Sequence, residues 1–217
     1  MSHDFWEHPD WYDVHDNQSV AGVEREPEHY HEFVVALPPV DAGDHVIDVG
    51  AGTGKLSLLL ADAYSGVGRI TLVDPNERKL YRGRARLAER LGADRVRAVR
   101  AALGEGAALP LEEATLVIVG SVLMPVLLGR GGTLQDGRLW VARALAEVRA
   151  LLRPGAWLFD FETLAMPWDA GKHEGPVRRL TLPELTDALK DAGFASIECV
   201  YRFRDRVTLR AQRPAAG

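Results

Sequence analysis

The stretch HVIDVGAGTGKLSLLL, residues 45–60, decides the fold. A short apolar run with strand character comes first, three glycines follow at alternate positions, and the stretch ends in an apolar segment of helical period. This order predicts a buried strand, a tight turn through Gly50, Gly52 and Gly54, and a helix. In open parallel sheets ligands bind beyond the carboxyl ends of strands, so we expect the loop to bring backbone N–H groups close to a ligand.

Strands and helices alternate on both sides of this stretch, which predicts a parallel sheet covered on both faces. A turn at RPG, residues 153–155, closes the fourth helix. Near the C-terminus two alternating runs flank Arg204 and Asp205, and they predict an antiparallel hairpin. The predicted strands are 46–49, 69–74, 94–100, 114–120 and 156–162 plus the hairpin; the predicted helices are 28–37, 55–63, 76–91, 141–152 and 183–192.

The composition is that of a soluble globular chain, with 217 residues, 47% of them hydrophobic and 26% charged. We expect an acidic N-terminal cap or lid over residues 1–44 and one domain over residues 45–213. Cys199 is the single cysteine, which excludes an intrachain disulfide and fits a reducing compartment. The N-terminus lacks a leader pattern, and no apolar run is long enough to cross a bilayer. We therefore expect a cytoplasmic protein without a membrane partner.

Charge is distributed unevenly along the chain. Residues 1–44 carry eleven acidic residues and one basic residue, whereas the remainder carries twenty acidic and twenty-five basic residues. Phosphate binding needs a concentrated cationic surface, so this pattern argues against nucleic acid as the main partner. Arginines recur every four residues over 78–90, and we interpret them as the solvated face of a helix.

The glycine loop can be compared with three sequence patterns of nucleotide-binding sites. A P-loop fails because Val49 occupies its first glycine position and Leu56 occupies its hydroxyl position. The dinucleotide fingerprint fits weakly because Lys55 replaces its third glycine. The third pattern, DVGAGTG at residues 48–54, resembles motif I of the class I S-adenosylmethionine-dependent methyltransferases.

The resemblance covers roughly residues 40 to 213. The stretches LGEGAALPLEEATLVIV, VRALLRPGAWLFDF and ELTDALKDAGFASIECV are similar to later segments of that family and stand in the same order. The resemblance implies a Rossmann-like, doubly wound, seven-stranded sheet that is mostly parallel and has an antiparallel C-terminal hairpin. It also implies S-adenosyl-L-methionine as the cofactor.

Residue roles carry over from the resemblance to matching positions. The resemblance implies that Asp48 orients the methionine ammonium, directly or through water, that Asp74 binds the ribose hydroxyls, and that Glu105 accepts from the adenine amino group. The three loop glycines pass beneath the methionine and ribose. The full cofactor-binding set is Asp48, Gly50, Ala51, Gly52, Thr53, Gly54, Asp74, Pro75, Glu105 and Ser121.

Catalysis of methyl transfer rests mainly on alignment of the acceptor with the methyl carbon. A hydroxyl acceptor usually loses a proton, and histidine suits that task near neutral pH. The candidate bases are His15, His29, His31 and His173, each of which has a solvated or capping role as its alternative. No metal is expected, because strand four ends in Gly120 and Ser121, where metal-dependent catechol methyltransferases have a carboxylate.

We therefore expect a methyltransferase acting on a small organic molecule at oxygen or nitrogen. The alternative is a catalytically silent S-adenosylmethionine-binding partner or regulatory protein, and a nicotinamide oxidoreductase is a distant third. The sequence leaves the acceptor and the oligomeric state open.

Overall fold

The computed structural model describes residues 28–106, 109, 111–123, 134–164 and 179–215. The chain divides after Ala102 into two compact units, a first unit and a second unit that begins at Leu103. Among the described helices, none combines the length and the apolar character that crossing a bilayer would require.

The first unit alternates helices and parallel strands. The elements are α1 (Glu28–Ala36), β1 (His45–Val49), α2 (Lys55–Ala63), β2 (Arg69–Asp74), α3 (Glu77–Leu91) and β3 (Val96–Arg100). Strands β1 and β3 both pair with β2 in parallel, which gives the order β3-β2-β1. All five residues of β1 are buried, as the apolar run predicts.

Helix α3 shows how local sequence sets an element. The Asn76 side chain accepts a hydrogen bond from the Lys79 N–H and caps the first turn, and Gly92 ends the helix with φ 95°. Its buried positions are Leu80, Gly83, Leu87 and Leu91. The predicted apolar face is confirmed, whereas the arginine face is solvated only in part: Arg78 and Arg90 are exposed, and Arg82 and Arg86 are half-buried.

The second unit contains a mixed sheet. The elements are β4 (Ala114–Gly120), α4 (Leu134–Leu151), β5 (Leu152–Thr163), α5 (Leu182–Asp191), β6 (Ala195–Phe203) and β7 (Arg206–Gln212). The strand order is β4-β5-β7-β6; β4 and β5 are parallel, whereas β7 is antiparallel to both β5 and β6. The predicted hairpin is confirmed, and Arg204, with φ 55°, takes the left-handed conformation that a glycine would otherwise supply.

The RPG sequence does not form a turn that precedes β5. Leu152 already pairs with Ala114, the register then shifts, and Trp157 pairs with Leu116. Gly155, with φ 81°, donates its N–H to the Arg213 carbonyl at 2.8 Å. The prediction of a strand beginning at residue 156 was wrong because a bulge absorbs the proline and glycine within the strand.

Strand β6 forms the outer edge of the second unit. Its pairing with β7 shifts register twice, between Ala195 and Glu198 and between Cys199 and Tyr201. All nine of its residues are partly or fully exposed. The strand therefore meets β7 through an irregular ladder.

Candidate cofactor site

Asp48 provides a buried acidic group beside the glycine loop. The residue is 1% exposed, and its Oδ2 accepts a hydrogen bond of 2.6 Å from the Ser57 hydroxyl on α2. Burial raises the pKa of Asp48 to about 6; the nearby charge of Asp74 also raises it, while the Ser57 bond lowers it. At neutral pH this position holds a buried negative charge, which favours a cationic ligand group.

The loop after β1 has the conformation that glycine permits. Gly50, Gly52 and Gly54 have φ values of 71°, 54° and 79°. A side chain at these positions would strain the backbone. Gly54 donates its N–H to the Ala51 carbonyl at 2.8 Å, and a Cβ built on it would lie 3.3 Å from the Gly83 Cα of α3. Gly54 therefore lets α3 pack closely against the loop.

The loop N–H groups make hydrogen bonds within the first unit. The N–H groups of Gly50 and Ala51 both donate to the Val73 carbonyl, at 2.7 and 3.1 Å, and the Gly52 N–H donates to Asp74 Oδ2 at 2.9 Å. The expectation that these groups face a ligand as donors was wrong for these residues, because β2 engages them. What the loop offers a ligand is a backbone surface without Cβ atoms.

Asp74 ends β2 and is 8% exposed. Its two oxygens accept separate backbone hydrogen bonds, Oδ2 from Gly52 and Oδ1 from Asn76 at 2.8 Å. Burial raises the pKa of Asp74, while these two bonds and the charge of Lys79 lower it. The carboxylate is fixed in orientation, and each oxygen retains capacity for a second hydrogen bond.

The remaining loop positions of the predicted cofactor set have distinct environments. Ala51 and Thr53 are buried, at 8% and 0% exposure. Pro75 is exposed, and its carbonyl accepts a hydrogen bond from Arg100 Nε at 3.2 Å. The first unit thus brings Asp48, Asp74 and the loop together at the carboxyl ends of two neighbouring parallel strands, β1 and β2.

Glu105 lies in the second unit, in a loop held by helix α4. Its neighbours Gly104 and Gly106 donate their N–H groups to Glu147, at 2.7 and 2.9 Å. Trp140 of the same helix donates from Nε1 to the Leu103 carbonyl at 3.2 Å. Glu105 itself is exposed.

Ser121 follows β4 in a left-handed conformation, with φ 56°. Its N–H donates to the Phe161 carbonyl at 2.7 Å. The next two N–H groups, of Val122 and Leu123, donate to Glu162 Oε1 at 2.8 and 2.9 Å. The end of β5 therefore fixes the turn after β4.

Asp160 lies two residues before Glu162 on β5, and both side chains are 1% exposed. Within the described residues, neither carboxylate oxygen of Asp160 has a hydrogen-bond partner. Burial, and then the charge of Glu162, raise the pKa of Asp160 well above its ordinary value. Sequence reasoning did not select this pair.

The candidate bases remain predictions. His15 and His173 lie outside the described residues. His29 and His31 lie in the first turn of α1. Across the part of the chain that the structure describes, no group of three or more His, Cys, Asp and Glu side chains could hold a metal ion.

Several residues that shape the site were missed from the sequence. Ser57 had a detectable signal, since it is a hydroxyl on the otherwise apolar buried face of helix α2. Gly83 had a weaker signal, as a glycine in the middle of a helix. Trp140, Glu147 and Glu162 act on backbone groups about 40 residues away, and local patterns do not report such contacts.

Comparison with known proteins identifies what the chain resembles. Residues 46–155 match the family described as Methyltransferase domain. The chain is 34% identical over 134 residues to the ubiquinone/menaquinone biosynthesis C-methyltransferase UbiE of Paracoccus denitrificans, covering 60% of this chain and 46% of that protein. The chain thus spans about half the length of this curated relative.

Solved structures share the fold. A possible exported protein from Bordetella parapertussis has a TM-score of 0.72 at 15% identity, covering 96% of this chain and 80% of that one. Human N-acetylserotonin methyltransferase, solved in complex with SAM, has a TM-score of 0.62 at 16% identity, covering 86% and 52%. These similarities confirm the predicted Rossmann-like α/β fold.

Proposed function

Because the chain belongs to the class I S-adenosylmethionine-dependent methyltransferases, whose cofactor is S-adenosyl-L-methionine, we propose that it methylates a small organic molecule at oxygen or nitrogen. The cofactor supplies a methyl carbon attached to a sulfonium, which makes that carbon electrophilic. The protein's task is to bind it, align the acceptor and exclude water.

The buried Asp48 carboxylate is the observation that supports cofactor binding, on which this proposal depends; the oxygen or nitrogen acceptor is carried over from the sequence expectation. A nearby cation stabilises the ionised form of a fully buried carboxylate whose pKa is raised to about 6. The methionine portion of the cofactor carries such a cation, its ammonium group. The Ser57 bond occupies one oxygen and fixes the carboxylate, so the other oxygen is the acceptor for that ammonium.

Asp74 is the proposed partner of the ribose. Its oxygens are held by the Gly52 and Asn76 N–H groups, so the carboxylate is oriented before a ligand arrives. The two adjacent ribose hydroxyls can each donate a hydrogen bond to one of the fixed Asp74 oxygens, because each oxygen retains acceptor capacity. The Cβ-free surface of the loop lets the ligand approach the backbone beside it.

The direct experiment is titration calorimetry with S-adenosylhomocysteine, followed by transfer of a deuterated methyl group into a metabolite extract. We expect saturable binding and at least one labelled product in the mass spectrum. NAD should produce no heat. Binding without any labelled product would instead support the alternative of a silent cofactor-binding or regulatory protein.

Proton removal from the acceptor is assigned to one of His15, His29, His31 and His173. A single histidine-to-asparagine change at the base should flatten the acidic limb of the rate profile while cofactor affinity stays unchanged. If none of the four changes alters that limb, the histidine-base proposal is refuted.

A carbon acceptor is the second candidate, favoured by one specific observation. The Paracoccus relative, 34% identical over the matched region, is named a C-methyltransferase. The carbon chemical shift of a labelled methyl product distinguishes attachment to carbon from attachment to oxygen or nitrogen.

A further inference from the structure

Ser57 contacts the buried Asp48 carboxylate through two groups. Its hydroxyl donates to Asp48 Oδ2 at 2.6 Å, and its backbone N–H forms a further hydrogen bond that lowers the pKa of this carboxyl. Ser57 is 0% exposed and Asp48 is 1% exposed, so bulk water does not compete for these bonds. Both bonds favour the ionised form of the carboxyl, because an ionised oxygen is the stronger acceptor.

The start of helix α2 leaves the Ser57 N–H available for this contact. The N-cap residue, Gly54, makes no side-chain hydrogen bond that would cap the helix. Ser57 is the third residue of α2, in the first turn, where N–H groups lack partners within the helix and the helix dipole favours a negative charge. Asp48, nine positions earlier in the chain, therefore supplies the acceptor that a capping side chain would otherwise provide.

Two effects oppose ionisation of Asp48. Burial is the larger, and the second is the negative charge of Asp74 on the neighbouring strand β2. Lys79 of α3 acts in turn on Asp74, whose pKa it lowers. The balance leaves the pKa of Asp48 at about 6, so losing one hydrogen bond changes the ionised fraction near neutral pH.

We propose that Ser57 is a positioning residue that keeps Asp48 ionised for the cationic group of the ligand and thereby sets the lowest pH at which the cofactor binds. The inference rests on the proposed function, because it takes the ammonium group of the cofactor as that cation. The residues that carry it all lie in the first unit. Ser57 acts through Asp48.

The first test uses the protein without ligand. Carbon NMR of protein labelled at its aspartate carboxyls follows the ionisation of Asp48 with pH, and the spectrum of Asp48→Asn assigns the signal. We expect a midpoint near pH 6 in the native protein. In Ser57→Ala the midpoint should lie about one pH unit higher, because one bond to the charged form is lost and the backbone bond remains. Ser57→Thr keeps the hydroxyl and should restore the native midpoint.

The second test is calorimetry with two ligands, S-adenosylhomocysteine and its analogue in which hydrogen replaces the amino group. With the midpoint one unit higher, Ser57→Ala should bind S-adenosylhomocysteine about fivefold more weakly than the native protein at about pH 6, and almost equally at about pH 8. The analogue carries no ammonium, so its affinity should differ less than about twofold between the two proteins at either pH.

Thr71→Val is the matched control. It removes another buried hydroxyl of the first unit, whose Oγ1 lies 2.9 Å from His45 Nε2, and it keeps the shape of the side chain. The midpoint of Asp48 and the pH profile of binding should remain native. If Ser57→Ala does not fold, Ser57→Cys retains a weaker donor and should give a smaller shift in the same direction. A melting temperature recorded for each variant identifies loss of folding.

The outcomes separate the two levels of inference. If Ser57→Ala leaves the midpoint of Asp48 unchanged, the positioning role is overturned even when S-adenosylhomocysteine binds the native protein. A shifted midpoint with an unchanged pH profile of binding also overturns the proposal, because ionisation of Asp48 would then not limit binding. If S-adenosylhomocysteine binds the native protein at no pH, the proposed function fails and the limit on cofactor binding fails with it, whereas the NMR midpoint still decides whether Ser57 keeps Asp48 ionised.

Discussion

Replacement of Asp48 by asparagine should stabilise the cofactor-free protein and weaken cofactor binding. Burial raises the pKa of Asp48 from an ordinary value of 3.8 to about 6. A tenfold change in proton affinity is worth about 1.4 kcal/mol, so ionising this buried group costs about 3 kcal/mol of stability at neutral pH. Asparagine retains an oxygen that accepts from Ser57 and carries no charge.

The direction in which stability changes with pH follows from the protons that the folded and unfolded states bind. Between pH 3.8 and about 6 the folded protein holds a proton at Asp48 that the unfolded chain releases, so stability falls as pH rises through this window and is constant above it. The asparagine variant lacks this contribution. Its gain in unfolding free energy over the native protein should therefore grow from pH 4 to pH 7, reaching about 3 kcal/mol.

Urea denaturation across this pH range measures the stability difference, and calorimetry with S-adenosylhomocysteine measures the affinity. Native affinity should fall about tenfold for each pH unit below 6, as the carboxylate is neutralised. The variant should bind about 10- to 100-fold more weakly at pH 7.5 and show no such fall. Parallel pH profiles of stability, or equal affinities at pH 7.5, would refute the reasoning.

Four further changes test other parts of the structure. Gly83→Ala places a Cβ 3.0 Å from the Thr53 carbonyl carbon, and we expect about 1–3 kcal/mol lower stability in urea denaturation; an unchanged midpoint would contradict the close packing. Asp74→Asn should weaken S-adenosylhomocysteine binding by about 1–3 kcal/mol in calorimetry, because one acceptor becomes a donor facing an N–H group; equal affinity would exclude the ribose role. Burial raises the pKa of Asp160 well above its ordinary value, so native stability falls as pH rises above 3.8 toward that pKa, and Asp160→Asn should flatten this fall in denaturation profiles; an unaltered profile would show that folding does not raise the pKa of Asp160. Deletion of residues 1–27 should reduce turnover more than cofactor affinity; equal turnover would remove the lid hypothesis.

Local sequence determined many element boundaries. Helix α2, strand β2 and strand β4 begin and end where the predictions placed them, because glycines or an abrupt change of hydrophobic period stand at their ends. The Asn76 cap was predictable for the same reason, since capping joins residues three apart. The conformation of the RPG sequence was not predictable in this way, because pairing with distant strands keeps those residues within β5.

The candidate site shows the same difference between features set by local sequence and features set by contacts between distant residues. Asp48 and Asp74 were selected because their positions relative to the glycine loop match the methyltransferase motif, and each lies in or at the end of a predicted strand. Their actual partners could not all be read locally: Gly52 and Asp74 are 22 residues apart, and the loop N–H groups donate to β2. Glu147 resembles any polar residue on a helix until folding brings it to the Gly104 and Gly106 backbone.

The two register shifts of β6 bear on how the protein behaves at high concentration. Adding a strand from a neighbouring molecule requires evenly spaced donors and acceptors along the free side of an outer strand. At Ser196, with φ 49°, and again near Cys199, that spacing is broken. A second copy could form backbone hydrogen bonds with only a few consecutive residues of β6, so this exposed edge strand is protected against the strand addition that leads to fibrils.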